Sequence, residues 1–223
     1  MIRALLLAIA QLSDPASRRV VWTGVLSAIA AFGLLAGTVW WALFHTVLTD
    51  YAWVDWTLDL LGGLAVLVLA WVLFPATVGM VSSFFLDEVV QAVERRHYPH
   101  LPPARQTGIA EELGTAIRFF AVVLLVNLFA LPLYLLVPGL NLLVFYTVNG
   151  YLLGREYFEM VAIRRLERKE AGYLRRARPL KPFLAGVVIA FLSTIPFVNL
   201  LVPVIASAFM VHVFQTMARP SSP

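Results

Sequence analysis

Two of the long stretches that carry no Asp, Glu, Lys or Arg share a pattern. One runs from 119 to 154, between Arg118 and Arg155, and the other from 182 to 218, between Lys181 and Arg219. A continuous helix of that length would extend about 54 Å, against a hydrocarbon core of about 30 Å. Each stretch has a Pro and an Asn near its middle, in the shared pattern P-x-x-N-L-L-V: Pro138 to Val144, and Pro196 to Val202. Proline breaks a helix and asparagine tolerates a turn. The pattern therefore predicts two helical hairpins folded at their P-x-x-N tips. One arm of each, 142–154 and 182–195, is shorter than the ~20 residues a crossing needs. The hairpins are expected to be re-entrant, entering and leaving the membrane on one side. Their tips would then lie against protein or a water-filled path. Two ordinary helix pairs turning at the far surface are the alternative.

The remaining pattern fills in the order of elements. Ile2, Leu5, Leu6 and Ile9 fall at i, i+3, i+4 and i+7, the spacing of a helix lying in the membrane interface, here over 1–14. Asp14 is a natural N-cap and Pro15 suits the first helical position. They open a first span, 15–49, with Trp22 near its start and Trp40 and Trp41 toward its end, as aromatic belts require. Residues 50–59 form a short acidic loop anchored by Trp53 and Trp56. A second span continues past the membrane over 60–97. Its outer part carries the stripe Leu86, Val89, Val90 and Val93, with Asp87, Glu88, Gln91 and Glu94 opposite. Thr107 caps a helix leading into the first hairpin, together 107–154. Residues 155–172 form a charged amphipathic helix ending at Gly172. The second hairpin occupies 182–218.

Composition agrees. Hydrophobic residues make up 61% and charged residues 13%, against about 25% charged in globular chains. The chain reads as one all-α polytopic membrane domain: two long transmembrane helices, two re-entrant helical hairpins and an N-terminal interfacial helix. There is no cysteine, which excludes disulfides and thiol chemistry. His45, His97, His100 and His212 have no metal spacing, and no catalytic or phosphate-cradling motif is present. No enzyme activity, metal or cofactor is expected. The net charge is +4. In this topology all 17 Lys and Arg fall on one side, which is then the cytoplasm, together with both termini. That distribution favours anionic lipid over nucleic acid as a partner.

Few residues can carry chemistry. Arg18 and Arg19 sit in the first turns of a helix, where the dipole is also positive. With the free N–H groups there they make an anion site, or an ordinary basic flank on lipid phosphate. Tyr151, Arg155 and Glu159 share one helical face, with Glu156 beside them. They form the mouth of a conduction path or an interfacial salt bridge. Asn141 and Asn199, like Asn127 and Asn149, stand in apolar surroundings, where they line a path or satisfy broken backbone. The basic run from Arg164 to Arg178 reads as a solvated, lipid-facing surface.

The stretch Asn149-Gly150-Tyr151-Leu152-Leu153-Gly154-Arg155-Glu156-Tyr157-Phe158-Glu159, the two P-x-x-N tips and Pro15-Ala16-Ser17-Arg18-Arg19 together resemble the CysZ-type sulfate permeases of the etoposide-induced-protein family. The resemblance covers nearly the whole chain in order. It implies a homo-oligomer of the bacterial inner membrane that imports sulfate for cysteine synthesis. It also implies sulfate binding at Arg18 and Arg19, with Ala16 and Ser17 standing where the family usually has Gly and Leu. Losing the glycine hinders close backbone approach to an oxyanion, while Ser17 adds a hydroxyl donor. The competing reading, from another class, is a non-transporting scaffold whose basic surfaces hold anionic lipid.

Overall fold

A computed structural model describes residues 1–45, 85–105, 109–136 and 138–218, with isolated helical positions between 57 and 82. The described residues are helical and contain no strand. Eight helices are described: α1 (Ile2–Ala10), α2 (Pro15–His45), α3 (Leu86–His97), α4 (Ile109–Leu136), α5 (Asn141–Ala162), α6 (Arg168–Ala177), α7 (Leu180–Ser193) and α8 (Val198–Ala218). Among the described residues, three segments are long and apolar enough to cross a membrane: Pro15–Trp41, Ile117–Tyr134 and Val198–Ala218. The acidic loop 50–59, the membrane part of the second span and the Thr107 cap lie largely outside the described residues.

The molecule is built around α8, whose candidate span is 78% buried while that of α4 is 6% buried. Helices α1, α2, α3, α5 and α7 all pack on it. Phe209, Met210, Val213 and Phe214 are buried, and Phe158 of α5 meets Phe214 edge to face at 5.9 Å. In an apolar medium the gain here is dispersion and aromatic geometry, because lipid tails are as apolar as the side chains.

The N-terminal region follows the expected pattern. Ile2, Leu6 and Ile9 are exposed, while Ala8 and Gln11 are buried and the helix rests on α8. One face of α1 is thus left exposed and the other packs on protein. The Ala16 N–H donates to Asp14 Oδ1 at 3.0 Å, so Asp14 caps α2 as expected. The stripe Leu86, Val89, Val90 and Val93 is buried, but so is Glu94, at 5% exposure. Glu94, expected on the outer face, is drawn inward by an ion pair with Arg165: Arg165 Nε to Oε1 at 2.9 Å and a terminal nitrogen to Oε2 at 2.5 Å.

Both P-x-x-N motifs form turns. Pro138–Leu140 is a single 3₁₀ turn and Asn141 begins α5. In the second, Phe197 takes a left-handed φ of 64°, costing a non-glycine residue about 1–2 kcal/mol, and Asn199 is the second residue of α8. Helix α7 has 14 residues, about 21 Å of rise and too short to cross. The first hairpin differs: α5 has 22 residues and continues through Arg155 to Ala162, so its second arm is not short. The helix expected over 155–172 is divided. Its first part is the end of α5, and α6 starts only at Arg168 and runs past Gly172 to Ala177. The break has two causes. Arg164 and Arg165 turn away to pair with Asp87, at 2.8 Å, and Glu94. Glu167 and Glu170 then form a capping box that restarts the helix.

Candidate functional site

The site is positioned by three glycines. Gly150 and Gly154 are one turn apart on α5 and face Gly186 of α7. A Cβ at Gly186 would fall 1.9 Å from the Gly150 carbonyl oxygen, and one at Gly154 would fall 2.3 Å from the Pro182 carbonyl oxygen. The two backbones touch, as small-residue pairs allow in apolar surroundings. This contact presses the residue after Gly154, which is Arg155, against the start of α7.

Arg155 is 5% exposed. Its Nε donates to Glu159 Oε1 at 3.1 Å, and Arg175 of α6 approaches the same oxygen at 3.5 Å. Glu159 therefore bridges two guanidiniums. Arg175 Nε is buried with no hydrogen-bond partner. Two cavities open on this cluster. One of about 310 Å³ lies between Tyr151, Arg155, Arg175 and the start of α7 from Pro179 to Phe183. The other, about 410 Å³, is lined by Arg118, Tyr151, Arg155, Arg175 and Arg176 among others. Helix α4 reaches the cluster through Arg118 and Val122, which line the second cavity. Four guanidiniums, those of Arg118, Arg155, Arg175 and Arg176, line these cavities, while Glu159 pairs with two of them and lines neither, so the cavities carry positive potential and suit an anion.

The expected face Tyr151, Arg155 and Glu159 is thus brought together. Glu156 is exposed and lines neither cavity. Asn141 is exposed at the opposite end of α5, fourteen residues and about 21 Å of helix from Arg155. Asn199 is half-buried, its N–H donating to the Ile195 carbonyl at 3.0 Å. Asn127 and Asn149 donate to carbonyls one turn back in their own helices, at 2.8 and 2.9 Å.

Arg18 and Arg19 are exposed at the start of α2 and line neither cavity around Arg155. Beside them the Ala16 N–H is already taken by Asp14. Ser17 is fully buried with its hydroxyl unpartnered. The arginine pair and the Arg155 cluster are separate features on different helices.

Sequence reasoning did not single out Arg118, Arg175 and Arg176, because each looked like one more cation in a basic flank. The spacing Gly150-x-x-x-Gly154 was the available signal for the close contact that organises them.

Comparison with curated proteins and with solved structures gives no match. The model of the family described as sulfate transporter CysZ/etoposide-induced protein 2.4 matches residues 4–203. That match takes in α1 through the first turns of α8, with both P-x-x-N tips and the Arg155 cluster, and the chain belongs to this family of membrane proteins.

Proposed function

We propose that the chain is a sulfate permease importing sulfate across the bacterial inner membrane for assimilation into cysteine. The observation that carries this reading is the Arg155 cluster, a buried arginine that pairs with Glu159 and lines two cavities with Arg118, Arg175 and Arg176. A permease must remove water from a divalent anion stepwise. Guanidiniums replace that water with charge-assisted donors, and Glu159 keeps the binding weak enough for release. Arg18 and Arg19 would bind sulfate at the start of α2, on the same cytoplasmic side as the cluster. In that step Asp14 must yield the Ala16 N–H or leave the two side chains to bind alone. The work is transport, with no bond made or broken.

In this reading the hairpins α4–α5 and α7–α8 are re-entrant, both termini face the cytoplasm, and copies associate as a homo-oligomer. The short α7 supports re-entry of the second hairpin. The outward apolar faces of α2 and α4 leave room for both lipid and neighbouring copies. Radiolabelled sulfate uptake into liposomes holding the purified protein, with and without a pH gradient, tests the function. Saturable uptake supports it. A protein that binds anionic lipid and shows no flux is the scaffold instead.

A further inference from the structure

A further polar cavity lies between α1, the charged end of α3 and the end of α8, away from the Arg155 cluster. It has a volume of about 350 Å³, and its polar lining comes from Arg3, His97, Tyr98, His212, Gln215 and Thr216. Among the described residues no carboxylate lines it. His212 is 3% exposed. Its Nδ1 lies 2.8 Å from the Tyr98 hydroxyl, and its Nε2 is buried with no hydrogen-bond partner. With the phenol donating to Nδ1, the neutral ring carries its proton on Nε2. That leaves a buried donor with nothing to donate to, which costs about as much as a lost hydrogen bond. The His97 ring meets His212 edge-on, centroids 5.0 Å apart.

We propose that the cavity between Arg3, His97 and His212 binds a tetrahedral oxyanion, either free or as the phosphate of a lipid headgroup. Each polar group around it is a donor or can become one. Arg3 reaches from α1, which lies where an interfacial helix meets headgroups. His97 and Tyr98 come from the end of α3, and His212, Gln215 and Thr216 from α8. Arg96 adds its charge from α3. Glu94, one turn before Tyr98, is held by Arg165 and leaves the field positive. Burial first, and Arg96 second, hold the His97 imidazole below its ordinary range, so an empty site holds it neutral. A bound oxyanion draws a proton onto the ring, and binding therefore tightens as pH falls.

The chain has four histidines, so imidazole nitrogen NMR reads the site directly. The probe is inorganic sulfate or phosphate added to full-length protein in zwitterionic phosphatidylcholine nanodiscs, repeated without added oxyanion in nanodiscs containing phosphatidylglycerol. His97→Gln and His212→Gln assign the signals. A saturable shift of both rings with the inorganic ion identifies a free oxyanion, and a shift only with phosphatidylglycerol identifies a headgroup. In either case the affinity must rise from pH 7.5 to 6. Arg3→Ala, a change at an exposed position, must weaken binding roughly tenfold or more. Unmoved rings under both conditions overturn the proposal, as does a shift that Arg3→Ala leaves intact. The readout is the imidazole and not flux, so it stands apart from the permease reading.

Discussion

Gly186 lies against Gly150 so closely that a Cβ on it would sit 1.9 Å from the Gly150 carbonyl oxygen. No side chain can be accommodated without moving one helix away from the other, because the obstacle is backbone. Gly186→Ala is therefore expected to destabilise the protein by at least the ~1–3 kcal/mol typical of overpacking. Gly33 and Gly37 meet nothing within 4 Å. Alanine there is expected to be neutral or slightly stabilising, since glycine weakens a helix by about 0.5–1 kcal/mol. Thermal unfolding in mild detergent compares them. Equal melting of Gly186→Ala and Gly33→Ala would mean that α5 and α7 are not in contact.

Arg165 holds Glu94 bidentately at 11% and 7% side-chain exposure, and it also donates to the Pro102 carbonyl. Glu94→Ala leaves a buried guanidinium without its counter-charge, an effect of about 3–5 kcal/mol. Glu94→Leu with Arg165→Met removes both charges and is expected to recover part of that loss. A double-mutant cycle on unfolding midpoints measures the coupling. Additive losses would show that the two groups do not interact.

Much of this architecture was legible in the sequence. The Asp14-Pro15 helix start, the two P-x-x-N turns and the Val89, Val90 and Val93 stripe each depend on neighbours in sequence, and each formed. What was not legible depends on partners far along the chain. Val198–Ala218 and Ile117–Tyr134 are similarly apolar, yet one is 78% buried and the other 6%. In lipid, composition does not separate a core helix from a lipid-facing one. Arg175 was one cation in a run of seven. Only the docking of α6 beside Glu159 turns it inward, and periodicity carries no record of that docking. The division of 155–172 has the same origin, since Arg164 and Arg165 leave the helix to reach acids on α3.

His97 stands outside the apolar spans, and burial lowers its proton affinity in the folded state. The unfolded chain then binds more protons at mildly acid pH, so stability rises with pH through this window. The contribution is fully present above about pH 6.5, the ordinary value for an imidazole. It is lost as pH falls through the lower folded value. Melting temperature measured from pH 7.5 to 5 in oxyanion-free buffer should fall, and His97→Gln should flatten part of the slope. An unchanged slope in the variant assigns the dependence to other groups.

The absence of cysteine makes tip depth directly measurable. With both hairpins re-entrant, Asn141→Cys and Asn199→Cys should resist a membrane-impermeant thiol reagent added from the periplasm. Both sites lie at helix starts beside the turns, so accessible tips would react readily. Strong periplasmic labelling at both tips would replace re-entrant hairpins with arms that cross fully. Labelling at Asn141 alone would fit the 22-residue α5 as a crossing helix and leave only the second hairpin re-entrant.

Arg155 and the pair Arg18 and Arg19 separate a permease from a lipid-anchored scaffold. In a permease each removes charge-assisted contacts worth roughly 1.5–3 kcal/mol, or about a ten- to hundredfold loss in sulfate binding per arginine. Arg155→Ala has a second effect. Glu159 is left with Arg175 alone at 3.5 Å, so the potential at the cavities falls further than one charge suggests. Arg155→Ala with Glu159→Gln removes both and is expected to regain part of the uptake. Arg→Lys changes keep the charge and lose the planar fork that grips an oxyanion. If Arg18→Lys with Arg19→Lys transports like the native chain while Arg155→Lys is impaired, the specific site is the Arg155 cluster and the α2 pair acts as diffuse charge. If all three lysines leave uptake and binding unchanged, neither arginine site recognises sulfate by geometry. If alanine at these positions disturbs membrane insertion while sulfate flux per inserted molecule stays the same, the arginines serve lipid.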